Sequence, residues 1–205
     1  GTDTGTHTCI DEGFDGGTIG CQAGCDAYDT SACTTTVSAT YIGGNNCMNG
    51  VITEFGNDLF YPMSNMNGIN SYGGELEFDL PTLTGATIAT ATLQLYQSAI
   101  AGTCTLADPI YLYKTSESHT TCSKTGEATM PPAIVAPDTT ATPNPTSCAT
   151  EIWVSLDITS IVQDAADNSE TDLNIQISGE DISVEMGFRA FSHGPNPPTL
   201  EIIYN

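Results

Sequence analysis

Residues 74–97, GELEFDLPTLTGATIATATLQLYQ, decide the fold. GELEFDL (74–80) and ATLQLYQ (91–97) each alternate apolar with polar side chains, the period of a strand that is half inside and half outside a core. Leu93 and Leu95 mark one inward face, while Glu75 and Glu77 share a strand face expected to meet solvent. The wider run 80–107 carries no charge, yet Thr, Gly, Gln and Ser interrupt it every few positions. It never becomes the apolar run of about 20 residues that a spanning helix needs, and reads as strand, turn and strand.

The same alternation returns downstream in PIYLYK (109–114), EIWVSLDI (151–158), DLNIQIS (172–178), VEMGFRAF (184–191) and TLEIIY (199–204). Leu173, Ile175 and Ile177 form one inward row, and Leu200 with Ile202 another. IGGNNCMNG (42–50), SNMNGINSYGG (64–74) and the Pro/Thr stretch 130–150 read as loops. A short helix is predicted over 158–166, capped by Asp157 or Thr159, with Ile161 and Val162 pointing inward. Trp153 lies in a predicted strand and is assigned to the core. Seven or more antiparallel strands with one helix predict an all-β jelly-roll sandwich over residues 37–205.

Residues 1–36 differ. They are rich in Cys, Gly and Thr and poor in large apolar side chains. Thr2, Thr4, Thr6 and Thr8 alternate with small or polar residues, which suits an extended strand without an apolar face. Such a strand cannot fold alone and is expected to add to a sheet edge, its own or a neighbouring copy's. Both remain open. Donated between copies, it would build a filament.

Three basic residues stand against 25 acidic ones, giving a net charge of −22. A chain so charged repels nucleic acid and anionic membrane surfaces. Eight cysteines with few lysines point to a secreted, disulfide-stabilised protein. Gly1 in place of methionine reads as a mature end or a trimmed one. Cys9, Cys21, Cys25, Cys33, Cys47, Cys104, Cys122 and Cys148 are all assigned to disulfides, with pairings that spacing leaves open. Cys21 and Cys25 are one residue too far apart for a zinc knuckle.

Three segments together carry a family resemblance: ELEFDLPTLTGATIATATLQLY (75–96), VSLDITSIVQDA (154–165) and FRAFSHGPNPPTLEIIY (188–204). In this order they resemble the DNRLRE-type domains over roughly residues 37–205. The resemblance implies a jelly roll of a secreted or cell-surface protein, in some cases like modules that bind acidic polysaccharides. An arginine usual in such domains shortly before the FDL element is absent, and the basic residues an acidic ligand would need are nearly all missing.

Catalytic signatures are lacking. There is no G-x-S-x-G or H-E-x-x-H, and His7, His119 and His193 sit in separate polar segments. No enzymatic activity and no required cofactor are expected. Asp11, Glu12 and Asp15 are candidates for calcium, without the EF-hand spacing. Phe60, Tyr61 and Tyr72 are candidates for stacking on sugar. No asparagine heads an acceptor sequon, but Thr139, Thr140, Thr142 and Thr146 are candidates for O-linked sugar. The sequence-based expectation is an extracellular structural subunit of a fibre or coat, assembled from copies of itself through its extension. The alternative is a carbohydrate-binding or adhesion module of a larger secreted protein.

Overall fold

The alternating stretches become strands of one curled antiparallel sheet. The computed structural model describes residues 5–23, 27–48, 51–53, 59–60, 63–66, 70–101, 110–116, 118, 120, 139–141, 151–179, 188–192 and 195–205. Its strands are Gly16–Gly17 (β1), Gly20–Cys21 (β2), Tyr28–Asp29 (β3), Cys33–Met48 (β4), Val51–Thr53 (β5), Leu59–Phe60 (β6), Met63–Met66 (β7) and Asn70–Asp79 (β8). Ile88–Ala101 (β9), Ile110–Thr115 (β10), Thr139–Ala141 (β11), Ile152–Asp157 (β12), Asp172–Gly179 (β13), Phe188–Ser192 (β14) and Thr199–Tyr204 (β15) follow, with a helix at Thr159–Asp167 (α1). β2 and β3 pair apart, and the rest join in one sheet.

That sheet folds into two layers. In the first, β9 has β12 on one edge and β15, then β14, on the other, so that Leu93 lies opposite both Leu156 and Leu200. In the second, β8 pairs β13, β13 pairs β10, and β10 pairs the short edge strand β11. β4 belongs to both: Thr35–Ala39 pair with β15, and Thr40–Met48 with β8. The register shifts between Tyr41 and Gly43, a bulge that turns the strand from one layer to the other.

Alternation places the core where the sequence predicts it. Leu93, Leu95, Val154, Leu156, Leu200 and Ile202 from the first layer meet Leu76, Phe78, Leu112, Leu173, Ile175 and Ile177 from the second, all buried. Each such side chain contributes about 1.5–3 kcal/mol relative to exposure. The all-β sandwich is confirmed.

Helix α1 closes one end and starts within a residue of its predicted position. The cap expected at Asp157 or Thr159 is corrected: the N-cap is Ile158, which makes no side-chain cap, and Asp157 just ahead of it accepts from the Thr159 amide at 2.9 Å and hydroxyl at 2.7 Å, satisfying the first helical amide. Thr159 Oγ1 in turn accepts from the Ala91 amide, which ties the start of the helix to β9. Ile161, Val162, Ala165 and Ala166 are the buried face. The helix ends through Ser169 in the left-handed region (φ 54°), with the Ser169 and Glu170 amides donating to the Ala166 and Ala165 carbonyls.

Two stretches expected as loops are ordered strand. IGGNNCM (42–48) continues β4, and the Asn70–Gly74 part of the second continues into β8. Gly44 makes this possible: a Cβ there would meet Tyr41 Oη at 2.7 Å and the Glu75 carbonyl at 2.9 Å. The Pro/Thr stretch likewise contributes β11, which contains Thr139 and Thr140; Thr142 and Thr146 lie outside the described residues.

The extension is corrected at its start. Gly5 and Thr6 form a turn, and Cys9–Glu12 a 3-10 turn that begins after Thr8, not a threonine-faced strand. The cause is local: the Asp11 carboxylate accepts from both the amide and hydroxyl of Thr8 at 2.8 Å, which folds the chain back. Thr2 and Thr4 lie outside the described residues. Further along, the extension docks on its own domain. Cys9 and Cys33 form a disulfide, β1 pairs with β4 at Cys33–Thr34, and Asp15 accepts from the Thr36 amide at 2.7 Å. The expected boundary after residue 36 therefore falls inside one strand, β4.

Candidate functional site

β12 presents Val154 and Leu156 to the core, so Trp153, Ser155 and Asp157 must point outward. Trp153 is thus not a core residue: it is 41% exposed. The registers extend this outer face across four strands. Trp153 lies opposite Tyr96, Ser155 opposite Gln94, and Asp157 opposite Thr92. Beyond them Thr199 and Glu201 continue the rows on β15, and Ser38 on β4. With strands about 4.8 Å apart, the face is about 14 Å wide.

Tyr96 stands edge-on to Trp153, with ring centroids 5.3 Å apart and planes at 67°. This geometry fixes the indole while leaving its outer surface open. Around it lie hydroxyls and an amide from Ser155, Gln94, Thr92 and Thr199, with the carboxylates of Asp157 and Glu201 at the far end. Hydrogen bonds from the Thr159 hydroxyl and amide hold the Asp157 carboxyl below its ordinary range, so this end is anionic at neutral pH. An exposed, braced aromatic among polar groups can stack on the C–H face of a sugar ring while its neighbours bond the hydroxyls.

The outer side of the second layer is different. Tyr113, Gln176 and Glu75 form one cross-strand row, and all three are buried, Glu75 at 5% exposure. Its neighbouring row is Thr115, Asn174 and Glu77, and Glu77 accepts from the Ser118 hydroxyl at 2.5 Å. The expectation that Glu75 and Glu77 face solvent is corrected, because this side of the sheet is covered at Glu75.

Beside that row an open polar pocket of about 460 Å³ lies between the end of β10 and the turn after α1, lined by Lys114, Ser116, Glu170 and Asn174 among others. Lys114 donates to Asp164 and, at 2.8 Å, to Glu170. Burial alone lowers its pKa, but these two carboxylates outweigh it and hold the ammonium above its ordinary range.

The candidate calcium ligands do not converge. Asp11 is held by Thr8, Glu12 by His7 at 2.5 Å, and Asp15 by the Thr36 amide. Among the described residues no three His, Cys, Asp or Glu side chains are placed to hold a metal ion. Phe60 lies in β6 opposite Phe191, and Tyr72 in β8 opposite Met48 and Met63. Their side chains, and Tyr61 altogether, lie outside the described residues. So do Cys25, Cys104, Cys122 and Cys148, and the side chain of Cys47. Membership of a strand alone placed Trp153 in the core; the parity set by Val154 and Leu156 puts it beside Tyr96 on the outer face.

Among the described residues no helix is long and apolar enough to cross a membrane. No curated protein matches the chain. A braced indole on the outer face of the sandwich offers a stacking surface to a ligand. Residues 56–204, most of the sandwich, match carbohydrate-binding module family 96, and the chain belongs to that family.

Proposed function

We propose that this chain is the glycan-binding module of a secreted or cell-surface protein, and that it recognises sugar on the outer face of β12, β9 and β15. The observation that carries this reading is Trp153, 41% exposed and braced edge-on by Tyr96 within a row of uncharged polar side chains. An open aromatic ring held by a second ring and flanked by polar groups supplies a stacking surface for a sugar, and family membership supports carbohydrate as the ligand class. The Cys9–Cys33 disulfide fits an oxidising, extracellular setting.

The test is retention of the intact chain on a panel of immobilised polysaccharides and in affinity gels. Retardation by at least one glycan, competed by its soluble oligosaccharide, is expected. Absence of retardation across the panel would overturn the reading.

A further inference from the structure

Resting on that glycan-binding reading, we propose that the N-terminal extension carries a second sugar contact, in which a pyranose ring of the bound polysaccharide stacks on Tyr28. This contact is separate from the Trp153 face and lies ahead of residues 56–204, the span that matches the family. Three observations converge on it.

The first is the company that each exposed ring keeps. Among the described residues two large aromatic side chains stand open to solvent, Trp153 and Tyr28, each 41% exposed. Each is braced by a second ring. Trp153 has Tyr96 edge-on, and Tyr28 has His7 face to face, with centroids 4.1 Å apart and planes within 8°. A parallel stack covers one face of the phenol and turns the other outward, which is the surface the C–H face of a sugar needs.

The second is that the brace is itself held. His7 Nε2 lies 2.5 Å from Glu12 Oε1, and Asp11 beside it accepts from the Thr8 amide and hydroxyl at 2.8 Å. Tyr28 sits in β3 opposite Cys21 of β2, and the Gln22 amide closes that hairpin on the Ala27 carbonyl at 3.1 Å. The Cys9–Cys33 bridge clamps the stretch between onto the start of β4. Rings tied down in this way lose little further freedom when a ligand arrives.

The third is chemistry. The Tyr28 hydroxyl both donates and accepts, and the Glu12 carboxylate beside the His7 ring accepts, so the stack is edged by groups that match sugar hydroxyls.

The intact chain would be run in affinity gels containing alginate, polygalacturonate, xyloglucan, galactomannan or a soluble β-glucan. Beside it would run Tyr28→Ala, Tyr28→Phe, Trp153→Ala and the double variant Tyr28→Ala with Trp153→Ala. With a glycan that retards wild type, Tyr28→Ala should weaken binding about two- to tenfold. Tyr28→Phe should recover most of that loss, and the double variant should bind more weakly than either single one. Trp153 is the only tryptophan, so its emission reports whether the first layer stays folded in Tyr28→Ala.

Retardation of wild type that Tyr28→Ala leaves unchanged would overturn the proposal while the glycan-binding reading stands. A loss in Tyr28→Ala that Tyr28→Phe does not recover would overturn it too, because the ring would then not be the contact. A wild type retarded by none of these glycans would defeat the glycan-binding reading and this inference with it.

Discussion

Asp157 holds Thr159 by two hydrogen bonds, and Thr159 holds the Ala91 amide, so one carboxylate steadies the first residue of the helix against the central strand of the first layer. Asp157→Ala is expected to cost about 1–2 kcal/mol, as loss of hydrogen bonds to a charged, partly exposed group does. The pH dependence has a definite sign. The folded carboxyl titrates below its ordinary value of 3.8, chiefly because the Thr159 hydroxyl and then its amide bond the ionised form. Its contribution is therefore complete above that value and fades as pH falls from there toward the folded pKa. Acid denaturation of wild type and Asp157→Asn should show the difference between the two shrinking in that window.

Tyr96→Ala removes the edge that braces Trp153. A loss of about 1 kcal/mol is expected from the ring pair. Because the indole is already half out of the protein, the emission of wild type should be open to acrylamide quenching, and Tyr96→Ala should increase the quenching further. A wild-type signal protected from acrylamide would contradict the placement of Trp153 on the outer face.

Lys114→Met leaves Asp164 and Glu170 facing each other without their shared cation, and should destabilise the chain by about 1–2 kcal/mol. Glu170→Gln in the same background should restore part of the loss. Lys114 has a folded pKa above 10.5, so its contribution is fully present below that value and is lost as pH rises through the folded pKa. Thermal denaturation between neutral and strongly alkaline pH would record that fall in wild type and its absence in Lys114→Met.

The Cys9–Cys33 bridge closes a loop with a sequence separation of 24. By the loop-entropy relation it stabilises the fold by about 3 kcal/mol. The paired replacement Cys9→Ala with Cys33→Ala should lower Tm by roughly 6–12 °C in a chain of this size, measured by calorimetry.

Two backbone positions should respond in opposite directions. Ser169 sits at positive φ after α1, where glycine is preferred, so Ser169→Gly should stabilise by about 0.5–1 kcal/mol. Gly44→Ala would press a methyl against Tyr41 and the Glu75 carbonyl and should cost about 1–3 kcal/mol in chemical denaturation.

The sandwich core was legible because period-two alternation survives in any strand with one wet face. Leu93 with Leu95, and Leu173 with Ile175 and Ile177, declare their sides without reference to a partner. The long course of β4 was not legible. Gly43, Gly44, Asn45 and Asn46 carry turn chemistry, and only Tyr41 folding over the space left at Gly44 shows why a strand can use them. The binding face was half legible. In EIWVSLDI the apolar residues at 152, 154, 156 and 158 already exhaust the inward parity and leave Trp153 outside. Its brace, Tyr96, and the partners of Lys114 at positions 164 and 170 come from distant segments, and no local pattern announces such pairs.

The joint between β4 and β15 has a mechanical consequence. Thr35 pairs with Tyr204, and the Asn205 side chain donates to the Ser31 carbonyl, so the start of one strand and the end of its neighbour lie together at one end of the sheet. The Cys9–Cys33 bridge passes any pull on residues ahead of Cys9 straight to the start of β4, sparing the loop between. Tension between that point and Asn205 would act across the ladder instead of along it, so the two strands would peel apart one pair at a time from Tyr204 toward Leu200. A module pulled through these two points should yield at low force, opening the first layer at β15.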